Sequence, residues 1–284
     1  MSSEISLLPG VNIMNLGPTG TGKTSRIGTL VDYLATRGGR VFFTALESGM
    51  EPLFGHWLDE GKEVPPNFHW HRLAFKRGGL SALTQKSKNI GSLPQDQLHK
   101  LSDPTRGNNN PMLELTTLLN DFVDQRDGKK WGSVEKWGTD RFLVFDGLSG
   151  LCEMAMYTTV GNKPVRSQPD WGIAMDLTYS FVKWLCDDLR CHFILISHIE
   201  RETDEVTGGT KNMASALGRK LAPKLPQIFG DVILSVRQGT TWTWSTADMQ
   251  TDLKTRNLPW SNTLPPDYSQ LLDKWVSRGG RFVP

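Results

Sequence analysis

Cysteine, net charge and long apolar runs are all scarce in this chain, and each shortage removes a class of protein. Cys152, Cys186 and Cys191 are an odd three among 284 residues and form no CxxC pair. A disulfide framework is therefore excluded, and reduced thiols in a cytoplasm are expected. Cys186, Cys191 and His192 stand close together, but their spacing matches no common zinc pattern, and a half-buried helix end is the simpler reading. No apolar run approaches the roughly 20 residues that cross a bilayer, so no membrane span is expected. Met-Ser-Ser-Glu at the start lacks the charged-then-apolar layout of a secretory leader. The formal net charge is only +2, so a nucleic-acid partner would have to be held by local basic loops. Internal repeats and low-complexity tails are missing too. What is present is ordinary for a globular protein, at 38% hydrophobic and 22% charged residues. The length suffices for one α/β core with residues left over for an insertion.

Hydrophobic period and turn residues order the chain. Residues 11–16 read as a short strand that runs into a glycine-rich turn. A helix follows from Lys23, with Ile27, Leu30, Val31 and Leu34 at helical spacing and Gly38-Gly39 stopping it. Residues 40–46 (RVFFTAL) form an almost wholly apolar run, as expected of a parallel strand covered on both faces. Strand, helix and strand thus arrive as a βαβ unit. An insertion occupies about 60–138, and its stretch 85–111, rich in Lys, Ser, Asn, Gly and Pro, reads as a mobile loop. A helix is expected over 112–125, with Leu115, Leu118, Leu119 and Phe122 on one face. A strand over 141–145 ends at Asp146. An irregular segment, 154–171, precedes an amphipathic helix carrying Ile173, Leu177, Phe181, Trp184 and Leu185. The strand 192–197 ends at His198, and a second irregular segment covers 201–226. Residues 232–236 and 241–246 read as a hairpin turned at Gly239, with Trp242 and Trp244 on one face. A last helix begins at Asp267, carries Leu271, Leu272 and Trp275, and is read as core. The expectation is a single domain over 1–284, its hairpin and last helix filling about 230–284.

The strongest signal is Gly17-Pro18-Thr19-Gly20-Thr21-Gly22-Lys23-Thr24, which satisfies G-x-x-x-x-G-K-[ST] and is followed by Ser25. Glycines let such a loop turn back so that successive backbone N–H groups face phosphate oxygens, and the following helix dipole favours the anion. Lys23 would reach the β- and γ-phosphates of ATP, and the Thr24 hydroxyl would ligate Mg²⁺. Asp146, at the end of an apolar strand, suits the acid that holds the Mg²⁺ hydration shell. Gly147 follows it, so the base that orients water must come from elsewhere. Glu47, ending the strand next after the P-loop helix, is the candidate. His198 ends another core strand, where a side chain can sense the γ-phosphate. N-K-x-D and L-S-G-G-Q sequences do not occur, which disfavours GTP and transporter chemistry.

With those residues placed, the chain resembles the RecA-like core ATPases. Thr-Ala-Leu-Glu47-Ser-Gly is similar to the segment with that family's catalytic glutamate. Leu143-Val-Phe-Asp146-Gly-Leu-Ser-Gly-Leu is similar to its Walker B strand. Leu195-Ile-Ser-His198-Ile-Glu-Arg is similar to its sensor strand, although RecA itself has glutamine where His198 stands. The compact layout looks most like the short bacteriophage RecA-like proteins of single-strand annealing and recombination. The resemblance implies an α/β, RecA-like P-loop core: a mostly parallel central sheet flanked by helices, with a C-terminal β-hairpin. It implies a DNA-dependent ATPase using ATP and Mg²⁺, in the cytoplasm of a bacterial host if phage-encoded, and a single-strand binding protein as a further partner. In that family the irregular segments after the Walker B and sensor strands line the path of single-stranded DNA. Here the first holds Tyr157, Lys163, Arg166 and Trp171. The second holds Lys211, Asn212, Arg219, Lys220 and Lys224, with no acid between Gly208 and Pro226. Lys254-Thr-Arg256 resembles a K-x-R pair that ring helicases extend to a neighbour's γ-phosphate, which implies a homo-oligomeric ring or filament with ATP between protomers. A ring helicase or translocase and a nucleotide-switched loader or scaffold for a replication protein remain alternatives. A small-molecule kinase is a more distant one.

Overall fold

The structure is a computed structural model that describes residues 6, 8–73, 79–98, 100–103, 107, 109–203 and 209–284. Its centre is a seven-stranded sheet in the order β3-β2-β4-β5-β1-β8-β9. These strands are β1 (Asn12–Leu16), β2 (Arg40–Ala45), β3 (Phe68–Arg72), β4 (Arg141–Asp146), β5 (His192–Ser197), β8 (Asp231–Gln238) and β9 (Thr241–Ser245). All neighbours pair in parallel except β8 and β9, which form the antiparallel hairpin at one edge. The architecture is the one expected from the sequence: α/β, with a mostly parallel central sheet flanked by helices and a C-terminal β-hairpin. The strand that ends in Asp146 is not adjacent to the P-loop strand, because β5 lies between them and brings His198 to the middle of the same edge.

Period two along β4 shows why the sheet is buried on both sides. Phe142 and Val144 point to a core under α1 (Ile27–Ala35), α2 (Glu51–Leu58) and α10 (Ser269–Ser277). Leu143 and Phe145 point to a second core under α5 (Pro111–Asn120), α6 (Leu148–Val160) and α7 (Gln168–Asp187). Alternate residues of a strand face opposite sides, so an all-apolar strand needs helices on both. Trp275 of α10 is buried, and its indole N–H donates to the Pro9 carbonyl at 3.0 Å, so the last helix is core.

Several expectations need correction. After Lys23 the chain first makes tight turns, with Ile27 N–H donating to the Thr24 carbonyl at 3.1 Å; regular helix begins only at Ile27. The stretch 85–111 is not wholly a loop, because α3 (Gly79–Ser92) and α4 (Gln95–Leu98) run through it. Residues 99, 104–106 and 108 of that stretch lie outside the described residues. Helix α5 stops at Asn120, since Asp121 leaves helical geometry and the following chain turns back on itself through Phe122 and Trp131. Phe122 is nevertheless fully buried. Residues 154–160 continue α6 and 168–171 open α7, so irregular backbone is confined to 161–167. Segment 201–226 is largely ordered: β6 (Ile199–Thr203) and β7 (Thr210–Ala214) form a separate antiparallel ribbon, followed by the short α8 (Gly218–Leu221) and α9 (Leu225–Ile228). Residues 204–208 lie outside the described residues. The buried stripe of α7 is turned one position from the expected one: Ala174, Thr178, Val182, Leu185 and Cys186 are buried, whereas Ile173 is 57% exposed.

Two elements went unread in the sequence. The edge strand β3 (FHWHR) belongs to the insertion yet completes the sheet, and α2 covers the edge beside α1. His192 is a core residue too. Its Nδ1 accepts from Val11 N–H and its Nε2 donates to the Thr139 carbonyl, each at 3.0 Å. Burial pushes its pKa down to about 3. The neighbouring Cys191 thiol is pushed up to about 12 by burial. A buried thiol held protonated is a poor metal ligand.

Candidate nucleotide site

The P-loop leaves β1 at the C-terminal edge of the sheet, where open α/β sheets place their ligands. Two glycines there are obligatory. Gly22 has φ +77° and lies against Trp242. At Gly17 a Cβ would come within 2.6 Å of the Ser235 carbonyl oxygen on β8. The hydroxyls of Thr21 and Ser25 tie the loop to itself, on the carbonyls of Pro18 (2.8 Å) and Gly22 (3.0 Å). Pro18, Thr19 and Gly20 form its exposed crest.

Lys23 is almost wholly buried, and its Nζ donates to the carbonyls of Gly17 and Pro18, each at 2.8 Å. Desolvation lowers its pKa to about 8, against the pull of Asp146 and Glu47. Thr24 Oγ1 donates to Asp146 Oδ2 at 2.9 Å, so a hydroxyl from the P-loop and a carboxylate from β4 converge from elements 122 residues apart. Burial raises the Asp146 pKa to about 6, assisted by Glu47 and opposed by the Thr24 hydrogen bond.

Glu47 follows β2 and turns into the same cleft. Its Oε1 accepts from Gly150 N–H at 3.0 Å, and its Oε2 lies 3.7 Å from His198 Nε2. The imidazole is the main cause that holds the Glu47 carboxyl below the ordinary range. Gly147 explains how the glutamate reaches this place. Its φ is +116°, and a Cβ there would lie 2.6 Å from Glu47 Cγ. A glycine after Asp146 thus makes room for a carboxylate that arrives from the neighbouring strand. The His198 carbonyl accepts from Ser215 N–H at 2.8 Å, which ties the β6–β7 ribbon directly to the end of β5.

These groups line one open cleft of about 620 Å³. Among the walls that sequence reasoning missed are Trp242, Arg26 and His56. Trp242 stands over the loop, its indole N–H donating to the Gly20 carbonyl at 3.4 Å, with the Arg26 and Arg237 guanidinium carbons 5.7 and 5.4 Å from the ring centre. His56 packs against Gly28 of α1, and its Nε2 is 2.8 Å from Asp32 Oδ2. The alternation of Trp242 with Trp244 signalled a hairpin face, but which element that face meets depends on the pairing of β1 with β8.

The remaining candidates stand elsewhere. Lys254 pairs through its backbone with Val232, and Asp231 accepts from the amides of Arg256 and Asn257, so this segment is fixed at the N-terminal end of β8. That is the opposite edge of the sheet from the P-loop. Most of the basic side chains expected in the two loops have partners of their own. Lys163 pairs with Asp170 at 2.9 Å, Lys211 with Asp252 at 2.7 Å and Arg219 with Glu202 at 2.8 Å. Arg166 lies over Trp171 and Lys224 over Tyr179, at 5.5 and 5.9 Å. Lys220 is exposed on α8, and Tyr157 is buried in α6.

The site fits a magnesium nucleotide on its own chemistry. It has a backbone cradle that side chains would fill, a buried ammonium that donates to loop carbonyls, and a hydroxyl–carboxylate pair. No protein family's model matches the chain, and no curated protein matches it. Among solved structures, a KaiC-like protein from the hyperthermophilic archaeon Pyrococcus horikoshii is similar over 90% of this chain and 84% of its own, with 13% identity and a TM-score of 0.40. A likeness that loose carries no weight for function.

Proposed function

We propose that the chain binds MgATP in this cleft and hydrolyses it. One observation carries the reading: Lys23, the Thr24–Asp146 pair and Glu47 face a single cleft although they come from three separate strand ends. The loop amides and Lys23 bind the triphosphate, and Thr24 and Asp146 hold Mg²⁺, which supplies charge neutralisation when bound. Glu47 orients the attacking water and receives its proton; His198 keeps its carboxylate ionised, ready to accept the water's hydrogen bond.

Nucleotide affinity should depend on pH in two steps. Asp146 titrates near 6 in the free protein and must be ionised to hold the metal, so affinity is lost as pH falls through that value. Lys23 titrates near 8 and must be protonated to hold phosphate, so affinity is also lost as pH rises through 8. Equilibrium titration with a non-hydrolysable ATP analogue from pH 5 to 9 checks this, after correction for the nucleotide's own ionisation. A flat profile contradicts both assignments.

The finer reading is a DNA-dependent ATPase that acts on single strands as an oligomer, in annealing or strand exchange. What supports it is placement. The β6–β7 ribbon follows β5 directly and hangs from the His198 carbonyl, and the 161–167 turn is joined to the end of β4 through α6. The ion pairs of Lys211 and Arg219 do not oppose it, because exposed pairs are worth only about 0–1 kcal/mol and exchange readily for phosphate; Lys163, half-buried against Asp170, is held more firmly. Lys254 and Arg256 lie far from their own cleft and suit action on a neighbour's nucleotide in a ring or filament. Turnover at low salt should rise several-fold on adding single-stranded DNA. No binding and no stimulation would remove the DNA reading and leave the loader or scaffold alternative. Strand displacement on a forked duplex would favour the helicase.

A further inference from the structure

Helix α3 is built the wrong way round for a core helix. None of its residues is buried. Leu80, Leu83 and Ile90 face outward at 81%, 53% and 42% exposure. Its half-buried side consists of Ala82, Lys86 and Asn89, at the spacing of one helix face. An ordinary surface helix does the reverse, with its apolar stripe inward. Apolar burial is therefore not what this inner face provides.

The inner face instead walls a groove of about 410 Å³, whose other side is the segment 101–103 and the turn after α6. That volume falls within the roughly 300–1,000 Å³ typical of small-molecule sites. The groove is rich in groups that read base edges. Gln85, Asn89 and Asn162 carry amides, which present donors and acceptors together, with Gln85 Nε2 donating to Asn89 Oδ1 at 3.0 Å along the helix face. Lys86 supplies the positive charge, and Leu101 and Pro164 supply apolar surface against which a planar ring can lie. Asp103 is also in the wall, with its Oδ2 accepting from Asn162 N–H at 2.7 Å. Asn162 in turn donates from Nδ2 to the Tyr157 hydroxyl at 3.2 Å. The groove is thus continuous with the turn that carries Lys163 and Arg166.

We infer that the groove between α3 and the 161–164 turn seats one unstacked base of a single-stranded nucleic acid, with Lys86 on its phosphodiester. The inference rests on the single-strand reading above and gives the insertion a task within it. Amides and a lysine beside a ring-sized apolar wall suit a base and its phosphodiester better than an apolar peptide, which would cover the Lys86 ammonium without offering it an anion. An acidic residue in the wall is tolerable because a carboxylate accepts from the amino group of cytosine or adenine.

Photocrosslinking tests the assignment. The full-length protein is bound to a thiothymidine-substituted oligonucleotide at low salt, irradiated, and its crosslinked peptides are mapped. Crosslinks within 79–92, 101–103 or 161–164 are expected. Crosslinks confined to 199–226 would overturn the base seat while leaving the single-strand reading intact. Failure of the wild-type protein to bind the oligonucleotide at all would remove that reading and the seat with it. As a second measurement, Ala82→Phe fills the groove, and oligonucleotide affinity should fall about tenfold, on the order of one lost base contact. Thermal melting reports the fold of the variant. A folded Ala82→Phe protein that binds the oligonucleotide like wild type means the groove serves another ligand, such as a peptide, and overturns the inference.

Discussion

Glu47→Gln is expected to bind MgATP with wild-type affinity and to hydrolyse it about 10²- to 10⁴-fold more slowly, the usual worth of a positioned base. The substitution keeps the shape of the side chain, and its amide oxygen can still accept from Gly150 N–H at the place where Oε1 now lies. What it removes is the negative charge beside His198 and the capacity to take a proton. Binding should survive because the grip on phosphate comes from the loop and Lys23, not from Glu47. Single-turnover hydrolysis and equilibrium nucleotide binding, measured side by side, separate the two effects. Normal turnover would transfer the base role to another group. The opposite pattern, lost binding with an unchanged chemical step, would mean that Glu47 holds the cradle together.

The second large effect is expected from Lys23→Ala. Turnover should fall by about 10²- to 10³-fold or more, as for loss of a charged group aimed at developing negative charge, and nucleotide affinity should fall with it. The fold should stay, because Lys23 contributes no apolar contact that either core depends on. Its buried ammonium donates to the Gly17 and Pro18 carbonyls, and desolvation depresses its pKa against the pull of Asp146 and Glu47. A buried cation of this kind is a cost to the free protein that Asp146 and Glu47 offset in part and a bound anion offsets further. A thermal melt within a few degrees of wild type alongside absent turnover is the anticipated pair of results. A variant that unfolds would instead assign Lys23 a structural part.

The legible parts of this protein were those in which one stretch of chain settles its own chemistry. The P-loop is such a stretch, since eight consecutive residues specify turn, cradle and cation together. β4 and β5 are others: uninterrupted apolar runs ending in Asp146 and His198, with the ends of β5 matching the expected strand. The hairpin and its Gly239 turn were readable for the same reason, with φ +59° at that glycine. What could not be read depends on pairing at long range. β3 is five residues with two histidines, and it becomes a strand because β2 offers it an edge. The face of α7 was misjudged because packing by α6 selects Ala174 and Thr178, small residues that let two helices approach, over the more apolar Ile173. Composition misled in the stretch 85–111, where polar residues at helical spacing form α3 rather than an unstructured loop. Trp242 lies on the P-loop only because β8 runs beside β1, a neighbour relation that no local pattern encodes. The ion pairs that occupy Lys163, Lys211 and Arg219 were invisible for the same reason, with their partners brought in by tertiary structure or a helix cap.

Calorimetric titration of the wild-type protein with a non-hydrolysable ATP analogue, with and without Mg²⁺, bears most directly on the central claim. One saturable site per chain is the result this account requires, with affinity strengthened by the metal and weakened by Asp146→Asn. Absence of heat and of competition by ATP at millimolar nucleotide, in protein shown to be folded, would contradict it.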